Sequence, residues 1–444
     1  MLWYTISLCY RTRNYPYEWL FSRISGYLKY FMASSSKAIV VPQDVLIMLG
    51  CLYGIAPRDL KSKFVRFQAN MVAQNNTSEP STDLIQRHKS FIDENPLPLE
   101  SLGGDYLHFR YLNAKISQAF EEGATDLLVD LDQKSSGLAF FSLLIKNRRL
   151  AKCCKLLQSE DHLDLEEYVR GRASKALHSI GAWDPSLFAF LFHANKMHGL
   201  AFLSFLCGQN SGRRLRYFLE FEDPENKLTE SGRKALGELS KKYGEFLDYL
   251  FPGVIKQLAL LNEARDLLLG VQKVAIPTLT LGTVDESVFC WGHQKEAEFV
   301  GKFKDPWEKK FLSYRGHDCY LDEGDRARME RSFIAALIQS LDAGVARLVA
   351  LKLGELGLEF QVNHDCFRLR PRDVPTFYRV VKEVFMKPDF NDLLQIILVR
   401  PNESHLESAE KEKLHSICSK IASGFEFTWD GKDFAAAECY VPKQ

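Results

Sequence analysis

Between Leu358 and Pro371 the chain reads LEFQVNHDCFRLRP, and its apolar alternation changes phase in the middle. Leu358, Phe360 and Val362 share one parity and Glu359, Gln361 and Asn363 the other, the period of two of a half-buried β-strand. Past His364, Asp365 and Cys366 the apolar positions are Phe367 and Leu369, so the parity has switched. A tight turn or bulge at the His-Asp pair produces that switch. The expectation is a hairpin whose tip presents one carboxylate on rigid strands, a common setting for chemistry. An ordinary hairpin with a polar tip has the same pattern.

A second acid stands at a strand end far upstream, in TDLLVDLDQKSSGLAFFSLLIKNRRLAKCCKLL from Thr125 to Leu157. Residues 127–131 read as a short strand ending at Asp132, Gln133 to Gly137 as a polar loop, and Leu138 as the start of an apolar helix with Ser135 or Ser136 as N-cap. An acid at a strand end beside the positive end of a helix is placed to share a metal-bound phosphate. Solvation of a strand end by Asp130 and Asp132 is the plain alternative.

The remaining organisation is mostly helical. Residues 191–206, LFHANKMHGLAFLSFL, are apolar around most of a helix circumference and so belong in a core. They run into CGQNSGRRLRYF, where Arg213, Arg214 and Arg216 stand beside Tyr217 and Phe218, a mixture suited to a nucleic-acid or triphosphate surface and equally to a solvated helix start. A longer helix is expected over residues 332–354, ended by Gly354 and Gly357 and leading into the hairpin. The His-Asp-Cys triplet recurs at 317–319 without flanking alternation, which reads as coincidence.

The 444 residues carry 57 basic and 57 acidic side chains, which excludes a uniformly basic nucleic-acid coat and permits a local groove. Ten cysteines occur with no CxxC pair, the usage of a reduced compartment without structural zinc. No run of eighteen apolar residues occurs, so no membrane insertion is expected. Residues 1–32 carry Arg11, Arg13, Arg23 and Lys29 against Glu18 alone, as in a mitochondrial targeting segment or a basic arm; Met32 is an alternative start. Residues 33–101 form a helical N-terminal region with a polar linker near 74–83, and residues 102–444 the main body with a C-terminal extension.

The order of strand, Asp, Ser-Gly and helix, then a buried Gly-containing helix, then a long helix feeding a His-Asp hairpin, resembles the single-subunit RNA polymerases of some bacteriophages, mitochondria and linear organellar plasmids. Asp132 followed by Ser136-Gly137 is similar to the family's first metal motif, and His364-Asp365-Cys366-Phe367 to its His-Asp-Ser-Phe motif. Residues 333–346, with Ser340 and Asp342, resemble the segment before the second motif, and residues 156–176, with Ser159, Glu160 and Tyr168, the helix after the first. The resemblance spans roughly 107–385. It implies an α+β right-hand polymerase core, with a palm built on a small antiparallel sheet and mostly helical fingers and thumb. It further implies DNA-directed RNA synthesis with Mg2+, held by Asp132, Asp365 and the main-chain carbonyl of Gln133, with His364 orienting the tip or touching the primer end. Its partners would be a nucleic-acid template and product, nucleoside triphosphates, and an accessory initiation factor or partner subunit. A mitochondrial or a viral or plasmid-associated setting follows from the same likeness. A viral RNA-dependent polymerase or a DNA polymerase of the same class, and a catalytically degenerate helical interaction protein, are the alternatives.

The fingers motif departs from the family. There a triphosphate-binding Lys precedes a Tyr-Gly pair by eight residues, and the Tyr selects ribose. Aligning Gly208 with that Gly puts Cys207 at the Tyr and Gly199 at the Lys. Lys196 lies three residues earlier, about 60° around a helix of roughly 100° per residue. Lysine is long enough to reach phosphates from there, or Arg213 and Arg214 take its place. A cysteine has neither the ring nor the strong donor of tyrosine, which leaves ribose selection without its usual residue.

Overall fold

A computed structural model describes residues 6–8, 14–16, 37–40, 44, 47–49, 52, 82–94, 104–158, 165–192, 201–202, 205–206, 228–271, 275–279, 288–292, 294–304, 311–387, 390, 392–424, 429 and 434–442. The centre is a four-stranded antiparallel sheet built from β1 (Val129–Gln133), β2 (Phe360–Asn363), β3 (Cys366–Leu369) and β4 (Tyr440–Pro442), in the order β2-β3-β1-β4. The expected hairpin is β2 and β3, joined by two residues, with Asn363 opposite Cys366 and Phe360 opposite Leu369. β1 starts and ends two residues later than the apolar pattern indicates, because its ladder extends through Asp132 to Gln133.

Helices cover one side of this sheet. The chain leaves β1 into α1 (Ser136–Leu144), whose residues from Leu138 onward are buried. The helix feeding the hairpin is α2 (Arg326–Glu355), longer than its apolar pattern at the N-terminal end, where the Asp325 side chain accepts from the Arg328 N–H at 3.0 Å. It ends at Glu355, and both expected glycines take part in closing it. Gly357 has φ +67°, its N–H donates to the Gly354 carbonyl at 2.9 Å, and the Leu358 N–H donates to the Leu353 carbonyl at 3.1 Å. Those two bonds are the Schellman closure, and the left-handed residue between them is nearly free of strain only as glycine. After the hairpin, Pro371 opens a short turn into α3 (Val374–Phe385), which packs against α2.

By length and composition α2 could cross a membrane, although no uninterrupted apolar run announces it; 61% of its most apolar window is buried within this fold, as in a core helix. Two aromatic clusters tie the helices to the sheet. Under the sheet, Phe367 packs on Phe377 with ring centres 5.1 Å apart, and Phe377 meets Tyr440 edge-on at 5.2 Å. Farther out, Phe385 stacks on Phe434 at 4.4 Å, Phe390 at 5.1 Å and Phe140 at 6.2 Å, while Trp429 donates its indole N–H to the Phe385 carbonyl at 2.7 Å.

Other expectations meet the structure piecemeal. Ala201, Phe202 and Leu206 are buried, as the 191–206 pattern requires. Residues 82–94 are helical, so the last two residues of the expected linker already belong to a helix. Ala38 and Ile39, within the expected N-terminal helical region, pair as a short strand with Thr125 and Ala124. The second His-Asp-Cys triplet lies inside the strand Phe311–Gly324 and not at a hairpin tip, in accord with its reading as coincidence.

Two outcomes test this packing. Phe385→Ala removes a fully buried ring from four aromatic neighbours and should lower the unfolding free energy by about 3–5 kcal/mol, read as a lower urea midpoint. Asp184 caps the helix Pro185–Leu191 by accepting from the Ser186 N–H at 2.8 Å and the Leu187 N–H at 3.1 Å. Hydrogen bonds from the Ser186 hydroxyl, then the Ser231 hydroxyl, then these backbone groups hold its carboxyl down to about 2. Because the folded value is depressed, the stabilisation is present above the unfolded carboxyl range and is lost as pH falls from about 4 through about 2. The stability difference between the wild type and Asp184→Ala should therefore be flat near neutrality and shrink across that acid window.

Candidate active site

The β1 sequence VDLDQ alternates buried and partly buried, so Asp130 and Asp132 share one face while Val129, Leu131 and Gln133 face the core. Its pairing with β3 sets Leu131 opposite Phe367, Asp130 opposite Arg368 and Val129 opposite Leu369. Continued by one residue, the same register sets Asp132 against Cys366, with Asp365 the next residue along. The two acids thus stand at the same end of neighbouring strands, which lie about 4.8 Å apart.

Each acid has a non-glycine residue of positive φ close by in the chain, Ser135 three residues after Asp132 and His364 next to Asp365. Ser135, at φ 49° and ψ 38°, turns the chain from β1 into α1. It occupies the N-cap position, as expected, but its hydroxyl makes no cap bond, because a capping side chain needs an extended backbone to reach the first-turn N–H groups. Its carbonyl instead accepts from the Leu138 and Ala139 N–H groups, each at 2.9 Å. At the hairpin tip His364 has φ 59°, whereas Asp365 does not have positive φ. A positive φ at the first residue of a two-residue hairpin turn is where glycine is usual. A histidine there costs on the order of 1–3 kcal/mol, which the flanking ladder must offset.

On its other edge β1 pairs with β4, Tyr440 opposite Gln133 and Val441 opposite Asp132. The Lys134 N–H donates to the Cys439 carbonyl at 2.8 Å. Across the trans peptide the Gln133 carbonyl points opposite to that N–H, away from β4 and toward the strand bearing Asp365. The Gln133 side chain is buried and accepts from the Tyr440 hydroxyl at 3.2 Å.

Tyr440 also reports where the carboxylates lie. Burial pushes its hydroxyl pKa well above the usual tyrosine range, and the charges of Cys439, Asp342, Asp365 and Asp132 raise it further. The Cys439 thiol is pushed up by burial, with Gln133 hydrogen bonding opposing and Asp365 and Asp342 reinforcing the rise. Asp132 and Asp365 therefore act on one buried hydroxyl, which stays protonated and serves as a donor. The third acid, Asp342, comes from α2 and is only 7% exposed. In the sequence it belongs only to a resembling segment, and its signal is an acid set among Ile338, Leu341 and Val345 on an otherwise apolar helix.

Asp130, against expectation, is not a solvated strand end. Its carboxylate takes a bidentate pair from Arg368, Nε to Oδ1 and Nη2 to Oδ2 at 2.8 Å, and both side chains are largely buried. The signal in the sequence is an arginine two positions beyond Cys366, placed to face an acid across the sheet. Lys196, Cys207, Gly208, Arg213 and Arg214 lie outside the described residues.

Among the described residues, no group of three or more His, Cys, Asp or Glu side chains forms a ready metal cage. Two carboxylates and a main-chain carbonyl are nevertheless hard oxygen donors, the set that suits Mg2+, which commonly completes its shell with water and substrate phosphates. No curated protein matches the chain. A family model described as DNA-dependent RNA polymerase matches residues 315–423, the stretch that holds α2, the hairpin and α3. Over that span, less than half of its length, the chain is similar to the single-subunit DNA-dependent RNA polymerases, and the likeness includes His364 and Asp365.

Proposed function

We propose that the chain is a template-directed nucleotidyltransferase of the right-hand class, acting in DNA-directed RNA synthesis. What supports this reading is that Asp132, near the end of β1, stands at the same end of the sheet as the hairpin tip that bears Asp365, in a chain similar to RNA polymerases over residues 315–423. In this reading the sheet is the palm and the surrounding helices supply fingers and thumb. The template and product are nucleic acid, the substrates are nucleoside triphosphates, and initiation draws on an accessory factor or partner subunit. A mitochondrial or plasmid-borne setting is part of the same proposal.

Asp132, Asp365 and the Gln133 carbonyl would hold Mg2+, which would supply charge neutralisation for an in-line displacement. The antiparallel ladder keeps the two carboxylates at a fixed separation, so little reorganisation is needed when the triphosphate arrives. His364, fixed at the turn, orients the tip beside the primer 3′ end. Lys196, Arg213 and Arg214 bind the triphosphate tail, whose oxygens arginine can engage two at a time. Cys207 and Gly208 take the position where the family selects ribose.

The competing reading is a degenerate nucleic-acid or protein-interaction chain, and it is favoured by Cys207 and Gly199 standing where the family has Tyr and Lys. Primer extension with Mg2+ on DNA and RNA templates, using ribo- and deoxyribonucleotides, separates the two. The wild type should incorporate ribonucleotides on DNA, and Asp132→Asn and Asp365→Asn should each lower the rate about 10²–10⁴-fold, the equivalent of several kcal/mol of lost charge stabilisation. No incorporation on any template, or an Asp365→Asn chain as active as wild type, would sink the polymerase reading. In the same assay Cys207→Tyr should raise the preference for ribonucleotides over deoxyribonucleotides; an unchanged ratio would remove Cys207 from the nucleotide site.

A further inference from the structure

The Asp130–Arg368 pair sits two residue pairs inside the two-acid end of the sheet. Arg368 and Asp132 lie on the same sheet face as diagonal neighbours, because Arg368 is directly opposite Asp130. Diagonal positions are about 7–8 Å apart, within the reach of an arginine side chain. Left without its partner, the Arg368 guanidinium would have a second carboxylate at hand, and that carboxylate is the proposed metal ligand. Pairing there would occupy Asp132 oxygens and place a positive charge where a cation must bind. A two-residue slip between β1 and β3 raises the same hazard. It keeps Leu131 on an apolar residue, Leu369, and sets Arg368 directly opposite Asp132. The apolar pattern does little to prevent such a slip, since all four β3 residues are buried.

We propose that Asp130 is a positioning residue for the metal site: its two-pronged grip on Arg368 keeps that guanidinium off Asp132. The proposal rests on Asp132 being a metal ligand. It assigns Asp130 no contact with metal or substrate. The pair also has the geometry for the task. A guanidinium fork against a carboxylate fixes direction as well as distance, and both groups are largely withdrawn from water, so the contact is little screened.

The test is Mn2+ binding to the full chain followed by electron paramagnetic resonance, a readout that needs no turnover. Asp130→Asn should weaken Mn2+ binding about 10- to 100-fold, the range typical of groups that orient metal ligands. Adding Arg368→Gln to it should bring binding back to within about threefold of wild type, because the competing cation is gone. A merely structural role predicts the reverse, a double variant no better than the single one. Arg368→Lys keeps the charge but loses the fork, and it should weaken binding by a few fold while folding as wild type by circular dichroism. It decides the matter if Asp130→Asn does not fold, since Mn2+ affinity unchanged in Arg368→Lys would overturn the proposal. Asp132→Asn separates the two levels of inference. If it leaves Mn2+ binding untouched, the metal-site reading itself fails; if it abolishes binding while folded Asp130→Asn binds as wild type, only the positioning role of Asp130 fails.

Discussion

The backbone ladder between Val129–Gln133 and Cys366–Leu369 is the interaction on which the rest of the candidate site depends. It joins segments about as far apart as Asp130 and Arg368, which are separated by 238 positions in the chain. Closing so long a loop is costly in entropy, and each strand alone contributes only a few residues. The offset comes from what the ladder brings together beneath it: Phe367 on Phe377, Tyr440 against both, and α2 packed on α1 and α3. Without that packing the two acids would belong to unrelated ends of the chain.

The same ladder holds two unfavourable local conformations. Ser135 and His364 both occupy the left-handed region without being glycine, and each adjoins one of the motifs that carry an acid. Strain of this kind persists where the surroundings over-determine the backbone. Here the surroundings are the β4 contact from Lys134 to Cys439 on one side and the β2–β3 ladder on the other. Asp132, near the end of a paired strand, and Asp365, in the hairpin turn, consequently sit on backbone that has little freedom to relax.

Like charge is the second constraint. Asp132, Asp365 and Asp342 all act on Tyr440, and the last two also on Cys439; burial and these charges keep both groups protonated. Tyr440 thus offers Gln133 a fixed donor and keeps the amide oriented from below, while the Gln133 carbonyl points along the sheet toward Asp365. One step along the face, Arg368 is neutralised by Asp130. The sheet therefore keeps its buried guanidinium paired away from the end where negative charge accumulates.

Local pattern is enough to read several of these elements. The phase switch at His364-Asp365 announces the hairpin, since an alternation that changes parity must turn. Asp132 is recognisable as the end of a strand, and α2 as a helix closed by Gly354 and Gly357 and leading into the hairpin, with Gly357 the left-handed residue. What the sequence could not disclose is who pairs with whom. Residues 440–442 look like an unremarkable extension, and only tertiary packing makes them a sheet edge against Asp132 and Gln133. Asp342 is one acid on a core helix until that helix lays it near Tyr440, and Asp130 looks solvated until Arg368 faces it. Sequence by itself determined the local elements, because periodicity and turn chemistry act over a few residues. The tertiary structure alone decided the register between distant strands, because backbone hydrogen bonds are indifferent to sequence and the choice among registers is made by the side chains packed around them.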